Sequence, residues 1–328
     1  MKAIQRDYNC KFGDAIQSFV EQKRMLGYPY VSSARILAVF DAFVCEHFPT
    51  DITLTKEMCL EWAVLRRTEC SNGLLRRVTP IRQLGKYMQG IGMDAYILPG
   101  YIPSKQVRYS PHIYTETELT AFFSSLDRGG RKYPDPTRNI IAPIYFRVLY
   151  CCGLRSSEAR LLATDDVNLK SGKILINESK GWASRSIYMS ESLRMLCNAY
   201  DHQISQTRPN RVAFFPNAYG GFLPKGIQDV WFHMYWDILP ESKLASGSPC
   251  RVHDFRHTFA VNTLNRWVRE GKDLDALFPY LSEYLGHRHY SDTDYYLHLV
   301  SEFYPDMEEM LQEVNLGILP EVTYETTD

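Results

Sequence analysis

From Arg251 the chain reads RVHDFRHTFAVNTLNRW, a stretch that restricts what can be built around it. If a helix begins near His253, positions at about 100° per residue place Phe255, Phe259, Ala260, Thr263, Leu264 and Trp267 on one broad apolar stripe facing a core. His253, Arg256 and His257 fall within an arc of about 100° that overlaps the direction of that stripe. Three basic groups would then point inward from the first turn. The placement is unfavourable twice over, because cations near a helix N-terminus oppose the macrodipole and basic side chains turned toward a core lose hydration. A bound anion would remove both objections, since free N–H groups at a helix start favour phosphate and an arginine fork matches its oxygens. The alternative is a capped helix whose basic residues reach solvent.

A chain of 328 residues has length for two domains, each with its own core. Residues 14–26 carry Ile16, Phe19, Val20 and Leu26 at helical spacing, with Gly27 as a stop. Ser32 or Ser33 is placed to cap a second helix, Thr55 opens a third through Leu65, and a fourth spans about Asn72 to Gly90. The basic cluster Arg66, Arg67, Arg76, Arg77, Arg82 and Lys86 lies across the last two. Such a cluster is ordinarily a solvated surface, and nucleic-acid binding is the competing reading. Three prolines between Pro99 and Pro111 mark a linker. This divides the chain into 1–100, a helical domain; 101–112, the linker; 113–300, a second domain; and 301–328, an acidic tail helix.

The second domain opens on Thr115-x-x-Glu118, a capping-box signature. Ile140 to Ala163 reads as an apolar helix broken at Gly153, with another helix from about Ser156 and Arg155 at the turn. Arg155 either faces an anion there or pairs with a local acid such as Glu158. Lys173 to Glu178 and Arg185 to Met189 alternate like strands around a Lys180-Gly181 turn, and Gly226 to Ile238 returns to helical spacing. The fold expected is mainly α with a small β-sheet.

Eight cysteines without a CxxC pair support neither a zinc ribbon nor a disulfide framework, and imply reduced thiols. No apolar run approaches the roughly 20 residues of a membrane span, so a soluble, cytoplasmic protein without membrane association is expected. The formal charge of −1 is unevenly spread: residues 1–110 carry +5, 111–300 carry +2, and 301–328 carry −8. Near-neutrality of the whole therefore leaves a nucleic-acid partner open.

Three motifs in order complete the reading: Gly153-Leu-Arg155-x-Ser-Glu158-Ala, His253-x-x-Arg256, and Leu285-Gly286-His287 with Tyr296 nine residues later. Together they resemble the tyrosine recombinase, or phage integrase, family, in the style of mobile-element recombinases. The resemblance implies a helical core-type DNA-binding domain over 1–100 and a mixed α/β catalytic domain over 113–300. It implies site-specific cutting and rejoining of DNA by metal-independent transesterification, with no cofactor. Tyr296 would be the nucleophile, with Tyr295 its nearest rival. Arg155 and Arg256 would grip the phosphate, Lys180 would protonate the leaving oxygen, His253 would assist proton transfer and His287 would donate to a nonbridging oxygen. The partners implied are a double-stranded recombination site, further copies of the chain, arranged as a tetramer on paired sites, and accessory or sister recombinases. The basic cluster would contact DNA, and the tail, with Phe303, Tyr304, Met307, Met310, Leu311 and Val314 as its apolar stripe, would pass to a neighbouring protomer. Two other classes compete: a metallohydrolase using His253, His257, His287, His289 and His298, whose helical motif has Asp254 where zinc enzymes place glutamate, and a non-catalytic DNA-binding regulator.

Overall fold

Helical periodicity in the first hundred residues becomes α1 (Gly13–Met25), α2 (Val31–His47), α3 (Lys56–Trp62) and α4 (Ser71–Gly90). The computed structural model describes residues 7–102, 110–129, 137–177, 184–244, 249–287, 289, 292, 293 and 296. Lys180, Tyr295, His298, the tail 301–328 and most of the 101–112 linker lie outside the described residues. The chain divides into two compact units, 1–109 and 110–328.

In the first unit Ile16, Phe19, Leu37, Phe40, Val44, Met58, Trp62, Val78, Ile81 and Leu84 form one buried core. Each comes from the apolar face of its helix, so amphipathic patterning and core are the same fact. Two boundaries differ from the sequence expectation. The second helix is not capped by Ser32 or Ser33 but starts at Tyr30, in the left-handed region at φ 50°. A non-glycine residue there is strained; an edge-on contact with Phe19 at 5.6 Å and a hydroxyl bond of 2.9 Å to Gln83 hold it. The third helix, capped by the Thr55 hydroxyl as expected, ends at Trp62 rather than Leu65. Arg77 accounts for this by donating to the carbonyls of Trp62 and Val64 and drawing the chain off the helix axis.

The second unit begins with α5 (Glu116–Asp127), opened by the Thr115–Glu118 capping box. It continues through α6 (Arg138–Cys151), α7 (Ser156–Arg160), strands β1 (Val167–Asn168), β2 (Lys173–Ile176) and β3 (Arg185–Tyr188), then α8 (Glu191–Thr207), α9 (Ile227–Trp236), α10 (Glu241–Leu244), α11 (Asp254–Arg269) and α12 (Leu274–Leu285). The strands form one antiparallel sheet in the order β1-β2-β3, with Ile174 opposite Ile187. Ile174, Ile176 and Ile187 are buried while Lys173 and Leu175 face out, which is the alternation a one-sided sheet requires. The fold is mixed α/β with a small sheet, as anticipated.

Phe122, Phe146, Phe232 and Phe255 meet at the centre of this unit, Phe122 lying 5.2 Å from Phe146 and 5.3 Å from Phe255. A second cluster joins Ala260, Val261, Leu264, Leu281, Leu285 and Tyr296. Helix α11 thus spans two cores, with Phe255 in one and Leu264 in the other. Its first turn lies where they meet. Among the described residues no helix is long and apolar enough to cross a membrane.

Candidate active site

Packing at the start of α11 leaves Arg256 almost no contact with bulk solvent. Val252 and Phe255 are in the core and Arg256 itself is 1% exposed. Its Nη1 donates to the Gly153 carbonyl at 2.9 Å and its Nη2 to the Leu285 carbonyl. Burial pulls its pKa down to about 10, so the group remains a cation at neutral pH. Gly153 turns the chain between α6 and α7 at φ +56°, and a Cβ there would lie 2.5 Å from the Phe259 ring. Only glycine meets both conditions and presents that carbonyl to Arg256.

The same turn places Arg155 at the N-cap of α7. Glu158, one turn on, has a fully buried side chain and accepts from the Arg155 backbone N–H at 2.9 Å and from Arg155 Nη1 at 2.8 Å. It also receives a two-pronged bond from Arg185, Nη1 at 3.0 Å and Nη2 at 2.8 Å. Burial alone would raise the Glu158 pKa, but bonding and charge from Arg185, then Arg155 and Arg256, overcome it and hold the carboxyl at about 2. Arg155 extends Nη2 to the Gly286 carbonyl at 2.7 Å, and Arg185 gives Nε to the Tyr284 carbonyl at 2.8 Å. Arg155 and Arg185 therefore converge on one carboxylate, and together with Arg256 on the last carbonyls of α12, the end where a helix favours cations.

Gly286 closes α12 at φ 65°, which releases His287 toward Tyr296. Their rings stack at 5.8 Å with 14° between planes, and His257 approaches the same tyrosine at 5.4 Å. His253 meets His257 edge-on at 4.9 Å. The His287 Nδ1 bonds Thr293 Oγ1 at 2.7 Å, and that hydroxyl donates onward to Ser282 at 3.0 Å. This fixes the ring and leaves Nε2 for a ligand. Burial first, then the neighbouring cations, pushes His257 and His287 down to about 3; His253, which keeps an exposed edge, is lowered by the same causes. All three imidazoles are neutral at pH 7.

The structure thus brings together Arg155, His253, Arg256, His287 and Tyr296. Lys180 lies outside the described residues. Arg155 does make the local pair with Glu158, but its side chain stays 30% exposed, so the pair and a ligand are compatible. Sequence reasoning passed over Arg185, which begins an ordinary alternating strand, and the Thr293–Ser282 relay, which no spacing marks. It placed His257 on the inward arc and gave it a part only in the competing metallohydrolase reading. Among the described residues no three His, Cys, Asp or Glu side chains are arranged to hold a metal ion.

In the first unit Arg66, Arg67, Arg76 and Lys86 are exposed. Arg77 is buried and clasps Glu69 through Nε at 2.9 Å and Nη2 at 2.6 Å. Arg82 donates to the carbonyls of Leu98, Pro99 and Ile102 at 2.9, 2.8 and 2.6 Å. These two arginines hold their own unit together.

Comparison with known proteins agrees with this geometry. The chain is 30% identical over 295 residues to a Sinorhizobium fredii protein named as an integrase/recombinase, y4rB, covering 87% of this chain and 92% of that one. The fold matches the XerH site-specific recombinase bound to palindromic difH substrate, a post-cleavage complex, at TM-score 0.61 and 16% identity, over 94% of this chain and 90% of that one. It also matches a lambda integrase tetramer bound to a Holliday junction, at TM-score 0.54 and 11% identity, over 86% and 76% of the two chains. The model of the phage integrase family matches residues 115–302, and the chain, with its arginine-lined turn facing a buried tyrosine, belongs to that family of tyrosine-type recombinases.

Proposed function

We propose that this enzyme cuts and rejoins DNA at specific sites by metal-independent transesterification through a 3′-phosphotyrosyl intermediate. One observation carries the reading: beside Tyr296 the Glu158 carboxylate is shared by Arg155 and Arg185 while the buried Arg256 bonds two backbone carbonyls, so that three guanidinium groups meet one carboxylate and positive charge is left over. A dianionic transition state supplies the missing charge. Tyr296 Oη attacks the scissile phosphorus, its proton passing to a neutral imidazole, for which His253 is proposed. The bond from phosphorus to the 5′ oxygen breaks, and that oxygen takes a proton from Lys180. Arg155 and Arg256 hold the nonbridging oxygens, and His287, which takes up a second proton as the phosphate anion binds beside it, donates to one of them through Nε2. The ester is retained in the phosphotyrosine, so a partner strand's 5′-hydroxyl reverses the step without ATP.

Binding would draw on the exposed Arg66, Arg67, Arg76 and Lys86 of the first unit as phosphate contacts, which position the duplex without reading its sequence. Residues 1–100 would clamp the DNA, 113–300 would carry the chemistry and 301–328 would join protomers. The lambda integrase tetramer on a junction supports four copies acting on paired sites. The test is covalent trapping on duplexes drawn from the DNA flanking its gene and nicked beside each candidate phosphate, in a strong chelator. Wild type should form an adduct whose DNA-linked peptide contains Tyr296; Tyr296→Phe should form none while binding DNA normally. An adduct that survives Tyr296→Phe and disappears in Tyr295→Phe would move the nucleophile by one residue, and loss of the adduct in chelator would overturn the metal-free chemistry.

A further inference from the structure

Arg185 stands where three elements meet and has no part in the roles assigned above. It opens β3, at the end of the β2–β3 connection whose sequence includes Lys180, and its side chain is 14% exposed against 30% for Arg155. All three of its nitrogens are engaged: Nη1 and Nη2 by the two oxygens of Glu158, Nε by the Tyr284 carbonyl at the end of α12. With Nε and both Nη atoms spent on Glu158 and the Tyr284 carbonyl, the Arg185 fork is not turned to a phosphate, whereas Arg256 bonds the protein through Nη1 and Nη2 alone. What it does instead follows from the carboxylate it holds. Glu158 is fully buried and binds Arg155 on the same face through Oε1, the oxygen that Arg185 Nη1 also meets. A lone buried carboxylate beside Arg155 would attract it as a closed ion pair; sharing the carboxylate with Arg185 weakens that attraction and leaves Arg155 able to extend toward Gly286 and a ligand. The fit is tight on the other side as well, since a Cβ on Gly286 would lie 2.8 Å from Arg185 Nη1.

We propose that Arg185 is the positioning residue that sets Arg155 against the scissile phosphate, acting through the Glu158 carboxylate and the Tyr284 carbonyl. It links the start of β3, the α7 turn and the α12 end into one rigid frame, so that the groups of the proposed reaction keep their spacing. The inference rests on that proposed reaction for its functional consequence, but its geometric content does not.

Two readouts test it. The first is single-turnover cleavage by Arg185→Ala, Arg155→Ala, the double variant and Arg185→Ala combined with Glu158→Gln, each checked for folding by thermal melting. Cleavage by Arg185→Ala should fall about 100-fold with DNA affinity within about twofold, the scale of removing one preorganised hydrogen-bond donor. Arg155→Ala/Arg185→Ala should be no slower than Arg155→Ala alone, because the first residue acts through the second. Adding Glu158→Gln to Arg185→Ala should recover rate by removing the unbalanced carboxylate. Cleavage by Arg185→Ala within about threefold of wild type, or losses that multiply in the double variant, would overturn the proposal. Should Arg185→Ala not fold, Arg185→Lys, which keeps charge and loses the fork, carries the same comparison against Arg155. The second readout needs no cleavage: arginine side-chain NMR should show the Arg155 Nε–Hε signal shifted in Arg185→Lys while that of Arg77, in the other unit, stays fixed. An unmoved Arg155 signal would overturn the positioning role. A wild type that forms no adduct would instead sink the proposed reaction, and the NMR result would still decide the role of Arg185.

Discussion

Arg77 in the first unit and Arg256 in the second are both buried arginines that donate to carbonyls, yet their surroundings balance differently. Arg77 faces its own carboxylate: Glu69 meets it with two oxygens, its pKa lowered chiefly by that bonding, and the Trp62 ring lies 5.1 Å from the guanidinium. Nothing about that pair asks for a further partner. Arg256 has two carbonyls, and the nearby Glu158 is already divided between Arg155 and Arg185. A closed pair builds a fold, whereas a surplus of one sign in a dry place is a ligand site waiting for the opposite charge. Composition could not make that distinction, since both arginines count equally toward the charge of the chain.

The largest effect that separates the two cases is on chemistry. Arg155→Ala should slow strand cleavage by about 10³ to 10⁵, the range for an arginine that stabilises phosphoryl transfer, with a melting temperature near wild type. Rapid-quench cleavage on a trapped substrate measures this, and a loss under tenfold would reduce Arg155 to a structural partner of Glu158. Next comes Arg77→Ala, which leaves Glu69 without its cation and should destabilise the first unit by about 3–5 kcal/mol, read by denaturant melts. A shift under about 1 kcal/mol would mean the pair is no more than a surface contact.

Acidification should act on the second unit. His257 and His287 are held neutral with pKa values of about 3 in the fold, against about 6.5 when unfolded. The unfolded chain therefore takes up these protons first as pH falls. Their contribution to stability is complete above about pH 6.5 and is lost progressively toward pH 3. Glu158, ionised down to about 2, adds nothing to the slope above about pH 4.5. Thermal melts between pH 7.5 and 5 should show the second unit weakening, with a shallower slope in His257→Asn; a flat profile in wild type would contradict the buried neutral imidazoles. The smallest effect belongs to the exposed cations: Arg76→Ala and Lys86→Ala should change stability by no more than about 0.5 kcal/mol. Each should weaken DNA binding and reduce the salt slope by about one for every phosphate that the side chain neutralises. An unchanged slope would show that the residue does not touch the DNA backbone.

How far the sequence reached follows the same division. Periodicity located α1, α4, α5, α6 and α11, and the Thr115–Glu118 box marked a helix start, because local patterning and local caps carry that information. The helix α8 was passed over although Leu193, Cys197, Tyr200 and Ile204 line its buried face at helical spacing, and α12 was hidden by Pro279 within it. The motif residues around Arg155, Arg256, His287 and Tyr296 could be named from the chain, but not their second layer. Arg185 reaches Glu158 across 27 residues and Tyr284 across 99, and no local pattern encodes such a meeting. Nor could the cluster Arg66 to Lys86 be sorted by sequence alone, since Arg76 and Arg77 are adjacent and point to solvent and core respectively.

One measurement sets the two buried arginines against each other directly: single-turnover cleavage by Arg256→Ala and Arg77→Ala, each corrected for its folded fraction and for DNA occupancy. Arg256→Ala should remain several orders of magnitude below wild type after correction, and Arg77→Ala should return to the wild-type rate, because one arginine serves the reaction and the other the fold. A corrected Arg256→Ala that cleaves like wild type would contradict the claim that the unmatched charge beside Tyr296 is there to hold a phosphate.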